Sequence, residues 1–269
     1  MSCKRSHSGF TLVELAIAIF IIALLLGSIL VPLTTQVEQR QITETQKTME
    51  EIRDALLGFA ATNGYLPCPD LQVRGLAPND GLIPAPNDGI QDPNDGIEDV
   101  TTAGVIGVCT TITGLAPNQL AAGNLPWGTL GLGNQDVWGN RFRYTVLAAY
   151  AQRPVPPALL PQTFSLQTLG GLRVCTTTAT CLPATTMLTS TAVAVIISHG
   201  KNGYSAINAL TNAANVAATS ADELENANND RDAISRTQSN VAGNEFDDIV
   251  IWLPKFTLNN RMVSAGRLP

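Results

Sequence analysis

The sequence predicts an α+β fold in which one long N-terminal helix, apolar in its first half and amphipathic in its second, packs on a small antiparallel β-sheet. Three observations predict it. Phe10 to Leu33 is one apolar run, the residues after it repeat apolar side chains at helical spacing, and three later segments centred on Tyr144, Val195 and Val250 read as strands. Charged residues make up 14% of the 269, against roughly 25% in an ordinary soluble domain. With 22 glycines and 16 prolines, this is an exported, loop-rich style of chain. The net charge is −6, and no Lys/Arg cluster follows the first few residues. That excludes a broad electrostatic footprint for nucleic acid, and no nucleic-acid partner is expected.

The apolar run, about 20 residues long, is sufficient for a helix to cross a bilayer core of about 30 Å. Lys4 and Arg5 precede it and the next basic residue is Arg40, so the positive-inside rule predicts a single-pass topology with the N-terminus cytoplasmic and the rest exported. Glu14 lies inside the run, where a carboxylate needs a partner. Pro32 and a charged helix follow, instead of the small-residue site at which secretory signals are cut, so removal after the run is not expected.

Beyond Pro32 the helix turns amphipathic. Val37, Ile42, Met49, Ile52, Leu56, Phe59 and Ala60 form one stripe, interleaved with charges from Glu38 to Asp54, and Asn63-Gly64 supplies the stop. The stretch from Tyr65 to Leu125 is rich in turn formers and repeats Pro-Asn-Asp-Gly at 78–81, 86–89 and 93–96, which reads as a looped connector. Asp88, Asp92, Asp95, Glu98 and Asp99 offer oxygen ligands for calcium there, but their spacing is not that of an EF-hand.

Strands follow the connector. Phe142, Tyr144 and Val146 alternate with polar residues, as in a half-buried strand; Ala192 to Ser198 is a more buried one and Asp248 to Leu253 a third, with a hairpin around Leu172 to Leu188. An Asn/Ala-rich segment at 208–243 interrupts the series, and Ser220 with Glu223 suggests a capped helical turn inside it.

Cys3 precedes the apolar run, which leaves Cys68, Cys109, Cys175 and Cys181 on the exported side. An even set in an oxidising compartment predicts two disulfides. Cys175 and Cys181 are near enough to staple a loop, which favours Cys68 with Cys109 among three connectivities, and no Cys-x-x-Cys pair points to zinc. Neither histidine, His7 or His199, lies in a nucleophile pattern, and no phosphate loop or zinc-protease motif occurs. A turn residue is the reading for His199, and an enzyme is not expected.

The segment Gly9-Phe10-Thr11-Leu12-Val13-Glu14-Leu15, after a basic leader and ahead of an apolar helix, resembles the type IV prepilin signal. The resemblance implies that prepilin peptidase cuts between Gly9 and Phe10 and methylates the new amine of Phe10. Glu14 would then pair with the Phe10 amine of a neighbouring subunit when helices stack in a fibre. It further implies a leader at 1–9, a transmembrane and assembly helix at 10–33, an amphipathic continuation at 34–63 and a periplasmic head at 64–269 with loop insertions at 71–125 and 208–243. The order Asp136-Val137-Trp138-Gly139-Asn140, Ser198-His199-Gly200-Lys201-Asn202-Gly203 and Asp247-Asp248-Ile249 is similar to the head of the major pseudopilin of type II secretion systems. Tyr65-Leu66-Pro67-Cys68-Pro69-Asp70 resembles a subgroup of pilin-like proteins instead. The pseudopilin likeness implies a calcium site in the loop before the last strand, at Asn244, Glu245, Asp247 and Asp248. The expected partners are prepilin peptidase, other pilin or pseudopilin subunits and the inner-membrane assembly platform. The alternative of a different class is a membrane-tethered periplasmic binding module that does not polymerise.

Overall fold

The computed structural model describes residues 11–70, 95–103, 106–109, 120–154, 164–178, 181 and 187–268. The chain divides into two compact units, Met1–Glu44 and Thr45–Pro269. Helix α1, Leu12–Asn63, is continuous through position 32 and belongs in part to each. In the first unit every large apolar side chain described from Leu12 to Leu24 is at least 50% exposed, on all faces of the helix. Among the described residues no helix is long and apolar enough to cross a membrane, and the side chains described for the apolar run are those of 11–24.

In the second unit, α1 buries one stripe, Thr45, Met49, Ile52, Leu56 and Ala60, whose spacing of three and four residues is that of one helix face. Val37, expected on that stripe, is half exposed, and Phe59 makes an edge contact with Tyr65 at 5.5 Å between ring centres. The helix stops where Gly64, at φ +90°, donates its N–H to Ala60 O. Arg267, from the far end of the chain, donates to the carbonyls of Ala61 and Thr62, which no longer have a helical partner.

The main sheet is built on β7, Met187–Ser198. Its second half lies between β4, Arg143–Leu147, and β9, Ile249–Pro254; its first half pairs with β6, Leu172–Cys175. Strand β3, Leu120–Asn124, extends the sheet beyond β4, and the one-turn helix α2, Trp127–Leu130, lies between those two strands in the chain. These pairings are antiparallel, as expected. The sheet as a whole is mixed, because β8, Asp232–Ile234, pairs with β6 in parallel. Three strands therefore lie where the sequence reads as a loop: β1, Val100–Ala103, and β2, Ile106–Cys109, pair with each other, and β3 joins the main sheet. β2 also pairs with a two-residue strand, β5, Arg153–Pro154. The short, Gly- and Ala-containing sequences of β2 and β3 carry little of the alternation by which strands are read.

The 208–243 insertion is likewise not all loop. It carries α3, Ala221–Ala227, and β8. It also explains why β4 is buried on both faces and not half-buried: Arg143, on the polar side, is 6% exposed and donates to Asn228 O and Asn229 Oδ1. Among the described residues, the last element is α4, Lys255–Ser264, which sequence reading missed; Leu258 and Met262 bury one face of it.

Both expected disulfides are present, Cys68–Cys109 and Cys175–Cys181. They close chain segments of very different length, with sequence separations of 41 and 6. Replacing Cys68 and Cys109 together by alanine should lower the unfolding free energy of the full chain in detergent by about 4 kcal/mol, against about 2 kcal/mol for the Cys175 and Cys181 pair, as chain entropy scales with loop length. Denaturant titration checks the ranking.

Candidate functional site

Two sites were expected, one at each end of the chain's chemistry. At the N-terminus, Thr11 and Glu14 form a reciprocal capping box. Glu14 N donates to Thr11 Oγ1 at 3.3 Å, while Thr11 N and Oγ1 donate to Glu14 Oε2 at 2.9 and 2.8 Å. The acid that looks misplaced in an apolar run thus begins the helix, satisfying one of the backbone donors that a first turn leaves over. Gly9 and Phe10 lie outside the described residues.

The second site is in the head, where the end of β7 meets the start of β9. The register pairs Ser198 with Ile249, so the turn 199–203 and the loop 244–248 run side by side. Gly200 makes their approach feasible. It sits at φ +61°, and a Cβ there would lie 2.4 Å from Asp247 O. Asp247 Oδ2 accepts from Asn202 N at 2.8 Å. Asn202 Nδ2 donates to Glu223 Oε1 at 2.8 Å, and Asp247 N reaches the same oxygen at 3.2 Å. Asp248 Oδ2 accepts from Asn226 Nδ2 at 2.7 Å. One oxygen from each of Glu223, Asp247 and Asp248 lies within 4.8 Å of the other two.

The expected set and the observed set differ. Asp247 and Asp248 are brought together, but Asn244 Oδ1 is taken by Arg236 Nη2 at 2.9 Å, and Glu245 is an exposed acceptor for Thr219. The residue that completes the cluster is Glu223, which is 0% exposed. From sequence it reads as half of a capping box with Ser220. Ser220 does occupy the N-cap of α3, yet its side chain makes no cap hydrogen bond and Glu223 turns away to Asn202. His199, read as a turn residue, is 2% exposed, with Nδ1 3.5 Å from Asp248 Oδ1. Of the connector acids, Asp88 and Asp92 lie outside the described residues, Asp95 caps its own turn through Ile97 N, and buried Glu98 accepts from Cys68 N and Tyr65 Oη.

Burial dominates the electrostatics of the cluster. It raises the Asp247 carboxyl to about 6, aided by the charges of Asp248 and Glu223 and opposed by the Asn202 N–H. Burial also raises Glu223, against its hydrogen bond from Asn202. Three acids held this closely without a cation repel one another. The neighbouring face of α3 serves a different purpose: Asp222 accepts from Thr178 N and Oγ1, inside the Cys175–Cys181 loop, and from Arg236 Nε.

Comparison with known proteins bears on the N-terminal site. Residues 4–30 match the family described as the prokaryotic N-terminal methylation motif. The chain carries a prepilin signal of the type IV pilin and pseudopilin kind. The motif supports processing of the leader by prepilin peptidase and points to a pilin-like structural subunit. No curated protein and no solved structure matches the chain.

Two outcomes follow from these sites. An acid whose folded pKa is raised contributes stability that is complete below its unfolded value, about 3.9 for Asp, and lost as pH rises through the folded one. In the presence of chelator, melting should therefore fall between pH 5 and 7.5, and Asp247→Asn should reduce that fall by about 2–4 °C. At the leader, Gly9→Val should leave unprocessed precursor in the membrane. Intact mass of the native chain should instead begin at Phe10 with one added methyl group.

Proposed function

We propose that this chain is a structural subunit of a type IV pilus or a type II secretion pseudopilus, stored in the bacterial inner membrane and assembled through its N-terminal helix. The observation that carries the reading is the signal itself, Gly9-Phe10 followed by Glu14 in an apolar run, matched over residues 4–30. The apolar surface of α1 supports it. A helix that is apolar all round is stable only when lipid or other helices cover it, and assembly exchanges one cover for the other. In the membrane the segment 10–33 spans once, with Lys4 and Arg5 on the cytoplasmic side and the head in the periplasm.

Glu14 has a distinct task in each state. The capping box with Thr11 supplies hydrogen bonds to its carboxylate in the single chain. In the fibre, the methylated Phe10 amine of a neighbour supplies the opposite charge in a site shielded from water, where pairing is stronger than at a surface. The net gain is limited by desolvation, so the pair acts chiefly to set axial register.

The test uses the same variant in two compartments. Glu14→Ala should reach the membrane at wild-type level with both disulfides formed, and its amount in sheared fibres should fall at least tenfold. Equal incorporation would favour the tethered binding module that does not polymerise. Quantifying the other pilin-like subunits in the same sheared material places this chain as an abundant or a tip subunit.

A further inference from the structure

The connector contains a tandem pair that has no part in the N-terminal signal. Residues 86–92 and 93–99 carry the same sequence except that Gln91 in the first stands where the second has Glu98. Of the second copy, residues 95–99 are described, and they are docked on the head. The first copy lies outside the described residues.

Two walls receive residues 95–99. One is the segment 68–70, held by the reciprocal backbone bonds between Asp70 and Asn124 at the end of β3 and by the Cys68–Cys109 bond. The other is α2, where the Arg141 guanidinium lies 4.0 Å over the Trp127 ring. Asp70 Oδ2 accepts from Gly96 N at 2.9 Å, and Gly96 O accepts from Gly128 N at 2.8 Å and Thr129 N at 3.1 Å. Gly96 has φ +85°, and a Cβ there would collide with the Trp127 indole, so the position demands glycine. Asp95 Oδ1 closes the turn through Ile97 N at 2.8 Å. Glu98 N donates to Thr129 Oγ1 at 2.9 Å, Glu98 Oε2 accepts from Cys68 N at 3.1 Å, and Asp99 N donates to Pro69 O at 3.2 Å.

The dock thus reads an aspartate that caps its own turn, a glycine at positive φ, main-chain groups and one side-chain acceptor. Residues 88–92 supply every one of these, because Gln91 Oε1 is an acceptor on a side chain as long as that of Glu98. The more distant copy at 80–84 does not. Ile83 has no acceptor in the place of Glu98, and Pro84 has no N–H in the place of Asp99.

We propose that this dock is a recognition site for a peptide of the form Asp-Gly-Ile-Glu/Gln-Asp, and that 88–92 is its second occupant, exchanging with 95–99 by a shift of one repeat. The resident register is favoured because the bond from Cys68 N is charge-assisted with Glu98 and neutral with Gln91. In the shifted register Asp92 takes the place of Asp99 beside Val100, β1 stays paired with β2, and 93–99 becomes a loop built on its own Asp-Gly turn. A competitor tethered by so short a segment acts at a roughly millimolar effective concentration. The exchange gives the connector two fixed lengths between Asp70 and the dock. It depends neither on the signal nor on assembly into a fibre.

The experiment is hydrogen exchange read by mass spectrometry on the full-length chain in detergent, which reports where backbone amides are held. In the wild type, protection within the tandem pair should fall on 96–99. Gln91→Glu combined with Glu98→Gln trades the two acceptors while keeping every glycine, turn residue and the net charge, and should slow exchange at 89–92 at least tenfold. Gly96→Ala closes the resident register, so protection should move to 89–92; adding Gly89→Ala should abolish it and lower the melting temperature further. Gly89→Ala alone should leave the wild-type pattern unchanged. Fast exchange at 89–92 in the acceptor-traded chain would overturn the inference, as would a Gly96→Ala chain that Gly89→Ala destabilises no further. Because the acceptor trade alters neither glycine, misfolding of a glycine variant leaves the inference testable.

Discussion

Strand β7 is the constraint on which the head depends. Its twelve residues pair with β6 over the first half and with both β4 and β9 over the second, so it fixes the register of each. Backbone donors and acceptors at the centre of a sheet must be paired, and a slip of one residue would turn every side chain to the other face. Ala192, Val193, Ala194, Val195, Ile196 and Ile197 are all buried, so neither face tolerates such a slip. The positions of Gly200, Asn202 and Asp247 follow from that register, because β7 and β9 end and begin side by side.

What was legible in the sequence tracks what is periodic. The stripe of α1, the stop at Asn63-Gly64 and the three central strands were readable, because local spacing and burial agree there. The two disulfides were readable from parity and spacing. Strands β1, β2, β3 and β8 were not, being three to five residues long and stabilised by partners distant in the chain. Glu223 was misread for a related reason: Ser220-x-x-Glu223 is a local signal, and tertiary burial overrode it. His199 carried no signal at all, since its neighbours Asp248 and Glu223 lie far along the sequence.

The insertion at 208–243 changes more than its own surroundings. By covering Arg143 it converts a solvent-facing strand into an interior one, and by carrying Asp222 and Glu223 on adjacent positions it reaches the Cys175–Cys181 loop with one acid and the turn after β7 with the other. Seven residues of helix thereby organise two distant parts of the sheet.

The Cys68–Cys109 bond has a mechanical consequence. Tension applied along α1 leaves the helix at Asn63 and reaches Cys68 within a few residues. There the sulfur bridge offers a covalent shortcut to Cys109 on β2, so the shortest covalent path for force does not run through the chain between the two cysteines. A subunit pulled by its N-terminal helix would pass force across this bond into β2, so the sulfur bridge, and not the chain length between its two ends, sets how far the helix end can part from that strand.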